Sequence, residues 1–502
     1  MRNRVFLGID LGTSAIKLSL LGEDGSVRTI REPYGPEETD GFLAQGQKGC
    51  AGGVWLRSLK RAFAGLDAAS DVCAAAVSSQ VGTYIVRGRK DPAREETEGI
   101  LPWFAPEGRE ELEELLSTFS EETFIREIGM PHPRLISSPV PRLAFMARHM
   151  ASISRVCQPK EILLEYLTGS FISDIWSWRG LAHPVTRAYS RRMLDWAGIP
   201  LKVLPPLGLP QTRAGSVSRK AAEETGLREG IPVYTGMNDF YAALKGMGVT
   251  KCGQAFDITG SSEHLGLLTS ALAEGSGLMT GPAPGGYIHY GVNASSGVAY
   301  SFGRDHFPGS GGSGPDTEDP GLFFARAKHA PVFLPYLKGE RAPLFDPDAR
   351  GVFFGLSDET KKEDLQYAIL EGIAFSLYDM YEHLGKPSLS EVIVSGGMAG
   401  DAKLNLLKAE LMQAAFVPAV CREASALGAS LIAREGLIKD GLLPPGEEKA
   451  EKEGSQHGAQ PYTGRDHPVY RRLMKRFDLY RSLYRDLKGR FREFKEVENG
   501  DE

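Results

Sequence analysis

The chain has 502 residues, a formal net charge of −6, and 42% hydrophobic and 24% charged residues. That is material for two to four soluble domains, with no electrostatic reason to expect nucleic acid as a partner. Cys50, Cys73, Cys157, Cys252 and Cys421 are odd in number and far apart, with no CxxC or Cys/His cluster, which argues against a disulfide framework or structural zinc. No apolar run is long enough to span a bilayer, and the run that opens the chain is broken by Asp10, so neither a membrane partner nor a signal peptide is expected and the cytoplasm is the expected compartment.

Val5–Leu21 reads VFLGIDLGTSAIKLSLL. An apolar run ends at Asp10, Leu11–Ser14 makes a turn, and Ala15–Leu21 alternates, so the segment predicts a strand–turn–strand hairpin. Gly12 lets backbone N–H groups converge on an anion, and Thr13 and Ser14 add hydroxyl donors. Asp10 can hold Mg²⁺, directly or through water, against the same phosphates. An ordinary hairpin with a polar turn has the same pattern.

Arg31–Gly53 reads as loop and Val54–Ala69 as a helix. Val72–Val86 predicts two strands interrupted at Ser78–Gly82, the kind of strand end where a sheet meets a ligand. Gln80 is therefore a candidate for a polar substrate, or a turn residue facing water. The acidic, Leu-spaced stretch after Leu101 is a helix. Trp103 just before it lines a pocket or fills the core. Arg109 falls in that helix's first turn, against the dipole preference. The arginines at 142, 148, 179, 187, 191 and 192 read as solvated or paired.

Ile231–Tyr234 predicts a short strand leading through Asn238 to Asp239 at the start of a small-residue helix. Asp before a helix is commonly an N-cap; here it can also take a proton from a substrate hydroxyl. Gln254–Leu267 (QAFDITGSSEHLGL) repeats the first hairpin's design. Asp257 ends an apolar run and Gly260, Ser261 and Ser262 form the turn. Two such hairpins, each opening half a chain, suggest an internal duplication that clamps a nucleotide.

Gly309–Gly314 is a flexible loop. Val332–Ser357 is a long Pro-punctuated loop in which Glu340, Arg341, Asp346, Asp348 and Arg350 are expected to form an ion-pair network. Glu391–Phe416 is a strand, a Gly-Gly turn and an amphipathic helix. Glu423–Ala433 is a helix of small residues able to pack closely. Glu447–His467 reads as a polar surface excursion, and Val469–Phe494 as a closing basic amphipathic helix with an aromatic and Leu stripe.

Gly8–Lys17, Gly236–Gly248, Gly260–Glu263, Leu334–Ser357, Ser395–Gly397 with Asn405, and Glu423–Ala429 together resemble the FGGY carbohydrate kinases. These belong to the group that joins sugar kinases, actin and heat-shock chaperone ATPases. The resemblance implies an α/β fold of two actin-like, ribonuclease H-like domains flanking a central cleft. Residues 1–245 would be sugar-binding and 246–502 ATP-binding. It implies ATP and Mg²⁺ as cofactors, a small sugar as the other substrate, and a homodimer as a common state. Asp239 would be the catalytic base and Asp10 the Mg²⁺-associated carboxylate. Gly12, Thr13, Ser14 and Lys17 would form the first phosphate loop, and Gly260, Ser261 and Ser262 the second. Gly396, Gly397, Met398 and Asn405 would lie by the adenosine, and Gln80, Trp103 and Asn238 by the sugar.

The acceptor implied first is a ketopentose such as xylulose. Xylulokinases carry Gln-Met-His where this chain has Gln80-Val81-Gly82, and Glu107 stands where many members have an earlier Asp, so other sugars, polyols and sugar acids remain alternatives. A non-catalytic sugar sensor of the same fold is the second reading. A chaperone ATPase would need a peptide-binding domain after Gly436.

Overall fold

The computed structural model describes residues 4–35, 51–66, 71–91, 94–273, 277–307, 319–445 and 458–499. The chain divides into two compact units. Taking their described residues, the first comprises Met1–Gly248, Gly281–Pro284 and Glu423–Lys452, and the second Val249–Thr280, Gly285–Arg422 and Glu453–Glu502. The sequence predicts one cut at 245/246; the first unit also takes in Gly281–Pro284 and the segment from Glu423.

The first unit is built on a six-stranded sheet. Its strands are β1 (Val5–Leu11), β2 (Ala15–Gly22), β3 (Val27–Pro33), β4 (Val72–Ser79), β8 (Arg213–Ser216) and β9 (Pro232–Asn238), in the spatial order β8-β9-β4-β1-β2-β3. β1 pairs antiparallel with β2 and parallel with β4, which places Lys17 and Ser78 on either side of Asp10. The apolar run of β1 is buried almost throughout, as expected for a strand covered on both faces. Arg31–Pro33 belong to β3 rather than to a loop. β3 is a charged, largely exposed edge strand, and such composition hides strand character.

Helix α1 runs Ala51–Ala64, three residues earlier in start than the periodicity suggested. β5 (Tyr84–Asp91) heads a three-stranded sheet with β6 (Arg94–Leu101) and β7 (Arg155–Cys157). β6 went unrecognised because REETEGIL has no alternating apolar face. α2 (Arg109–Thr118) and α3 (Pro139–His149) share the core of this three-stranded sheet, while α4 (Pro159–Thr168) packs into the core of the six-stranded sheet.

α5 (Asp239–Gly246) follows β9 directly, and α9 (Ala424–Lys439), far along the chain, packs back onto it and onto β1. Small residues permit this. A Cβ at Gly8 would overlap the Ala426 carbonyl, one at Gly246 the Ala424 carbonyl, and one at Gly428 the Ala242 carbonyl. This close approach is why the segment from Glu423 belongs to the first unit.

A second six-stranded sheet, drawn mainly from the second unit, repeats the plan. Its strands are β10 (Ala255–Thr259), β11 (Glu263–Thr269), β12 (Met279–Ala283), β13 (Gly286–Val292), β16 (Glu391–Gly396) and β17 (Ala415–Pro418), ordered β12-β13-β11-β10-β16-β17. β10 is antiparallel to β11 and parallel to β16, and β16 is parallel to β17. Strand for strand, β13-β11-β10-β16-β17 matches β3-β2-β1-β4-β9 in pairing sense.

α6 (Ser296–His306) follows β13, and α7 (Lys362–His383) is buried along most of its length. β14 (Val332–Leu334) and β15 (Val352–Phe354) pair and close the long loop. Three of the residues expected to hold it do so through partners on the last helix. Asp348 pairs with Lys495, Arg350 with Glu498, and Asp346 accepts from Tyr484, all on the last helix, α10 (Pro468–Asn499). α10 buries Leu473, Phe477, Tyr480 and Tyr484 as its stripe suggested. α8 (Ala402–Met412) packs on β17, α7 and α10.

Gly309–Gly314 lies outside the described residues, as does most of the polar excursion before Gly458. Among the described residues no disulfide joins Cys73, Cys157, Cys252 or Cys421, and no helix is long and apolar enough to cross a membrane.

Candidate active site

In the first unit Asp10 ends β1 and is 1% exposed. One oxygen accepts the Ser78 hydroxyl at 3.1 Å, and the other accepts the Ser425 hydroxyl at 2.6 Å. Lys17 Nζ lies 3.3 Å from Asp10 and 3.3 Å from Glu423. Burial pulls the Lys17 ammonium down, but Asp10 and Glu423 outweigh it and the net shift is upward, so Lys17 stays charged. Ser78, Glu423 and Ser425 were not assigned roles from the sequence. They stand 61 to 415 residues from Asp10 and Lys17, and only the sheet register and the return of α9 bring them in.

Asp239 occupies the first position of α5. The cap itself is Asn238, whose Oδ1 accepts the Tyr241 N–H at 3.0 Å and whose Nδ2 donates to the Trp176 carbonyl at 2.8 Å. Asp239 is thereby relieved of the capping role. Its Oδ1 accepts its neighbour Phe240's N–H at 2.9 Å, and the Val81 N–H also supports it. Desolvation, and then the negative charge of Asp10, push its carboxyl up to about 7, against the pull of Lys17. A carboxylate that titrates near neutrality is matched to general-base work.

Thr13 joins the phosphate turn to the residues expected at the sugar. Its hydroxyl donates to Gln80 Oε1 at 3.2 Å and accepts from Trp103 Nε1 at 3.2 Å. Gln80 is 2% exposed and its Nε2 has no partner, an orphaned buried donor beside the site. The turn holding Thr13 and Ser14 is tied down by Tyr34, whose N–H donates to the Ser14 carbonyl and whose hydroxyl donates to the Gly12 carbonyl.

Arg142 is not solvated. It is fully buried, with Nη2 donating to the carbonyls of Pro102, Trp103 and Ala105 and Nε to that of Ile136. Backbone carbonyls take the place of an acidic partner, so no charge pattern could reveal it. Arg142 therefore pins the loop that presents Trp103.

In the second unit the exposed turn Gly260-Ser261-Ser262 closes with the Gly260 N–H on the Ser262 carbonyl at 2.8 Å. Below it Asp257, Glu263 and Lys408 are all 0% exposed. Lys408 Nζ donates to Asp257 at 2.7 Å and to Glu263. Gly396 has φ 100° and a Cβ there would overlap the Thr259 carbonyl, so the strand end can pass only as glycine. Gly397 N–H donates to the Thr259 carbonyl at 2.9 Å and Met398 N–H to the Thr259 hydroxyl at 3.0 Å. The Gly-Gly turn is thus attached to the strand that leads into Gly260. Asn405 is 3% exposed. Its Nδ2 donates to the Ala399 carbonyl at 2.8 Å, while Oδ1 is an orphaned acceptor.

One unit thus sets a carboxyl raised toward neutrality near a lysine and a hydroxyl-bearing turn, and the other sets a second hydroxyl-bearing turn against a Gly-Gly turn. The N-terminal domain of the FGGY family of carbohydrate kinases matches residues 5–246, and its C-terminal domain residues 313–434. The chain belongs to the FGGY family of carbohydrate kinases. It is an ATP-dependent sugar kinase. The xylulose kinase of Lactococcus lactis is 24% identical over 449 residues, spanning 86% of this chain and 87% of that one. Two solved structures from Lactobacillus acidophilus share the two-domain actin-like fold. A gluconate kinase aligns with TM-score 0.79 at 21% identity, covering 98% of this chain and all of its own. A ligand-bound xylulose kinase aligns with TM-score 0.78 at 21% identity, with the same coverage.

Proposed function

We propose that this FGGY kinase transfers the γ-phosphoryl group of MgATP to a primary hydroxyl of a neutral ketopentose, xylulose first. The observation that carries the reading is Asp239, released from capping by Asn238 and brought to about 7 beside the Asp10–Lys17 pair. Asp239 would accept the proton of the attacking hydroxyl. Gln80 Nε2, Trp103 and Asn238 would orient the sugar, and Thr13, Ser14 and Lys17 would hold the transferring phosphate. In the second unit Gly260, Ser261 and Ser262 would hold the nucleotide's phosphates, and Gly396, Gly397, Met398 and Asn405 its adenosine.

The charges that bear on Asp239 are Asp10 and Lys17, and Lys17 is itself paired with Glu423 as well as Asp10, so the cation nearest the base is already matched by carboxylates, which suits a neutral polyhydroxyl acceptor better than a sugar acid. Arg142, the buried cation near Trp103, places Nε and Nη2 on backbone carbonyls, and its Nη1 has no partner among the described residues.

Among the described residues no group of three or more acids, histidines or cysteines could cage a metal. That donor set fits Mg²⁺, which keeps its waters and arrives on phosphates. Asp10, whose oxygens already accept from Ser78, Ser425 and Lys17, would hold it through water. The ion's contribution is to neutralise charge on the β- and γ-phosphate oxygens.

The test is ADP release from MgATP over pentuloses, hexuloses, polyols and sugar acids, with Asp239→Asn as control. Stimulation by a neutral ketopentose that the variant lacks supports the reading. Stimulation by gluconate alone overturns the substrate class. ATP binding with no sugar-stimulated release by any of them overturns the catalytic reading in favour of a sensor.

A further inference from the structure

Glu340 lies in the long loop between β14 and β15 and is 5% exposed. Its Oε1 accepts the Ala294 N–H at 2.6 Å and the N–H of its neighbour Arg341 at 2.7 Å. Its Oε2 accepts the Ser376 hydroxyl at 3.4 Å. Ala294 belongs to the short link between β13 and α6, and that link is pressed against the second phosphate turn. Asn293 exchanges hydrogen bonds with the backbone of Glu263, N–H to carbonyl at 3.0 Å and Oδ1 from N–H at 2.9 Å. Gly297 N–H donates to the Ser261 carbonyl at 3.1 Å, and a Cβ at Gly297 would overlap the Gly260 carbonyl. Asn293 Nδ2 reaches Ser296 and Ser376, the residue that also touches Glu340.

A second tie runs in parallel. The Ser295 hydroxyl donates to the Gly339 carbonyl at 3.3 Å and accepts the Lys338 N–H at 3.2 Å, while Ala342 N–H donates to the Val292 carbonyl at 3.0 Å. The loop itself is anchored from behind, since Glu340 N–H donates to the Asp346 carbonyl at 2.8 Å and Asp346 accepts from Tyr484.

We propose that Glu340 is a positioning residue for nucleotide binding: by holding residues 293–297 it sets the geometry of the Gly260–Ser262 turn. The inference rests on assigning that turn to the nucleotide's phosphates. Glu340 touches no reacting atom. It acts through one carboxylate that organises backbone donors one residue removed from the turn's own partners. A buried carboxylate accepting two N–H groups forms a charge-assisted tie that can fix such a link, and releasing it leaves two partly buried donors without that partner.

The experiment measures ADP affinity by calorimetry, without sugar, alongside the KM values for MgATP and sugar. Glu340→Asp withdraws the carboxylate by one methylene and is expected to weaken ADP about tenfold, the equivalent of one charge-assisted hydrogen bond. Glu340→Gln keeps an oxygen that can accept both N–H groups and is expected to stay within about threefold of the parent. The sugar KM should not move in either variant. Equal ADP affinity in the Asp and Gln variants, or a sugar KM that rises in step with that for MgATP, overturns the proposal. If the Asp variant does not fold, Ser295→Ala carries the test, with about threefold weaker ADP expected and unchanged ADP overturning it. Because calorimetry needs no acceptor, a parent protein that binds ADP but turns over no sugar defeats the sugar-kinase reading and leaves this inference standing.

Discussion

The two hairpins have the same topology and different electrostatics. In the first, Asp10 meets its cation, Lys17, across the hairpin itself, and the Lys17 side chain keeps 25% of its exposure. In the second, Asp257 meets Lys408, brought from α8 and wholly buried, with Glu263 as a second acid. An accessible ammonium beside a turn can move to a phosphate; a buried one shared by two carboxylates cannot leave without stranding both. The repeated hairpin thus differs in what its charge is free to do: in one copy the cation is partly accessible, in the other it is locked inside the fold.

Asp239→Asn is the severest way to break the comparison. Loss of a general base should lower sugar-dependent kcat by roughly 10²–10⁴-fold with ADP binding retained, read by steady-state kinetics and calorimetry. Turnover within a few-fold of the parent would remove Asp239 from the chemistry. The same variant should be more heat-stable than the parent above pH 7 and no more stable near pH 4. The folded-state pKa of Asp239 is raised, so the stability attached to its protonated form is present at low pH and is lost as pH climbs through about 7.

Lys408→Met and Lys17→Met sharpen the contrast. Removing Lys408 leaves two buried acids unpaired and should cost about 3–5 kcal/mol in denaturant unfolding. Lys17→Met should cost much less stability and instead weaken the kinetic use of MgATP. Equal stability losses in the two would erase the distinction between the hairpins.

Gly428→Ala tests the return of α9. Its Cβ would meet the Ala242 carbonyl on the helix that carries Asp239, so overpacking of about 1–3 kcal/mol is expected in denaturant unfolding, with lower kcat.

Asp10→Asn removes the carboxylate proposed to hold Mg²⁺, and its finer effect is read in the pH profile rather than in the rate. Asp10's charge holds the Asp239 carboxyl up, so removing it should move the acid limb of the kcat/KM profile for sugar below its parental position near 7. An unmoved limb would show that the two carboxylates do not sense each other.

Local pattern was enough to reveal both hairpins, the Gly-Gly turn and the strand–helix junction at Asp239. Each needs a particular residue where the chain turns, and apolar alternation announces the flanking strands. β3 and β6 escaped because edge strands are polar, and Arg142 because its partners are carbonyls that every residue possesses. What only tertiary structure decided is how charge is shared. Asn238 takes the cap so that Asp239 need not, and Ser425 and Glu423 reach Asp10 and Lys17 from about 400 residues away through a helix small enough to pack on β1. Lys408 crosses to Asp257, and Glu340 grips a backbone link. These pairings depend on which groups lose water together, and burial is a property of the packed fold rather than of sequence spacing.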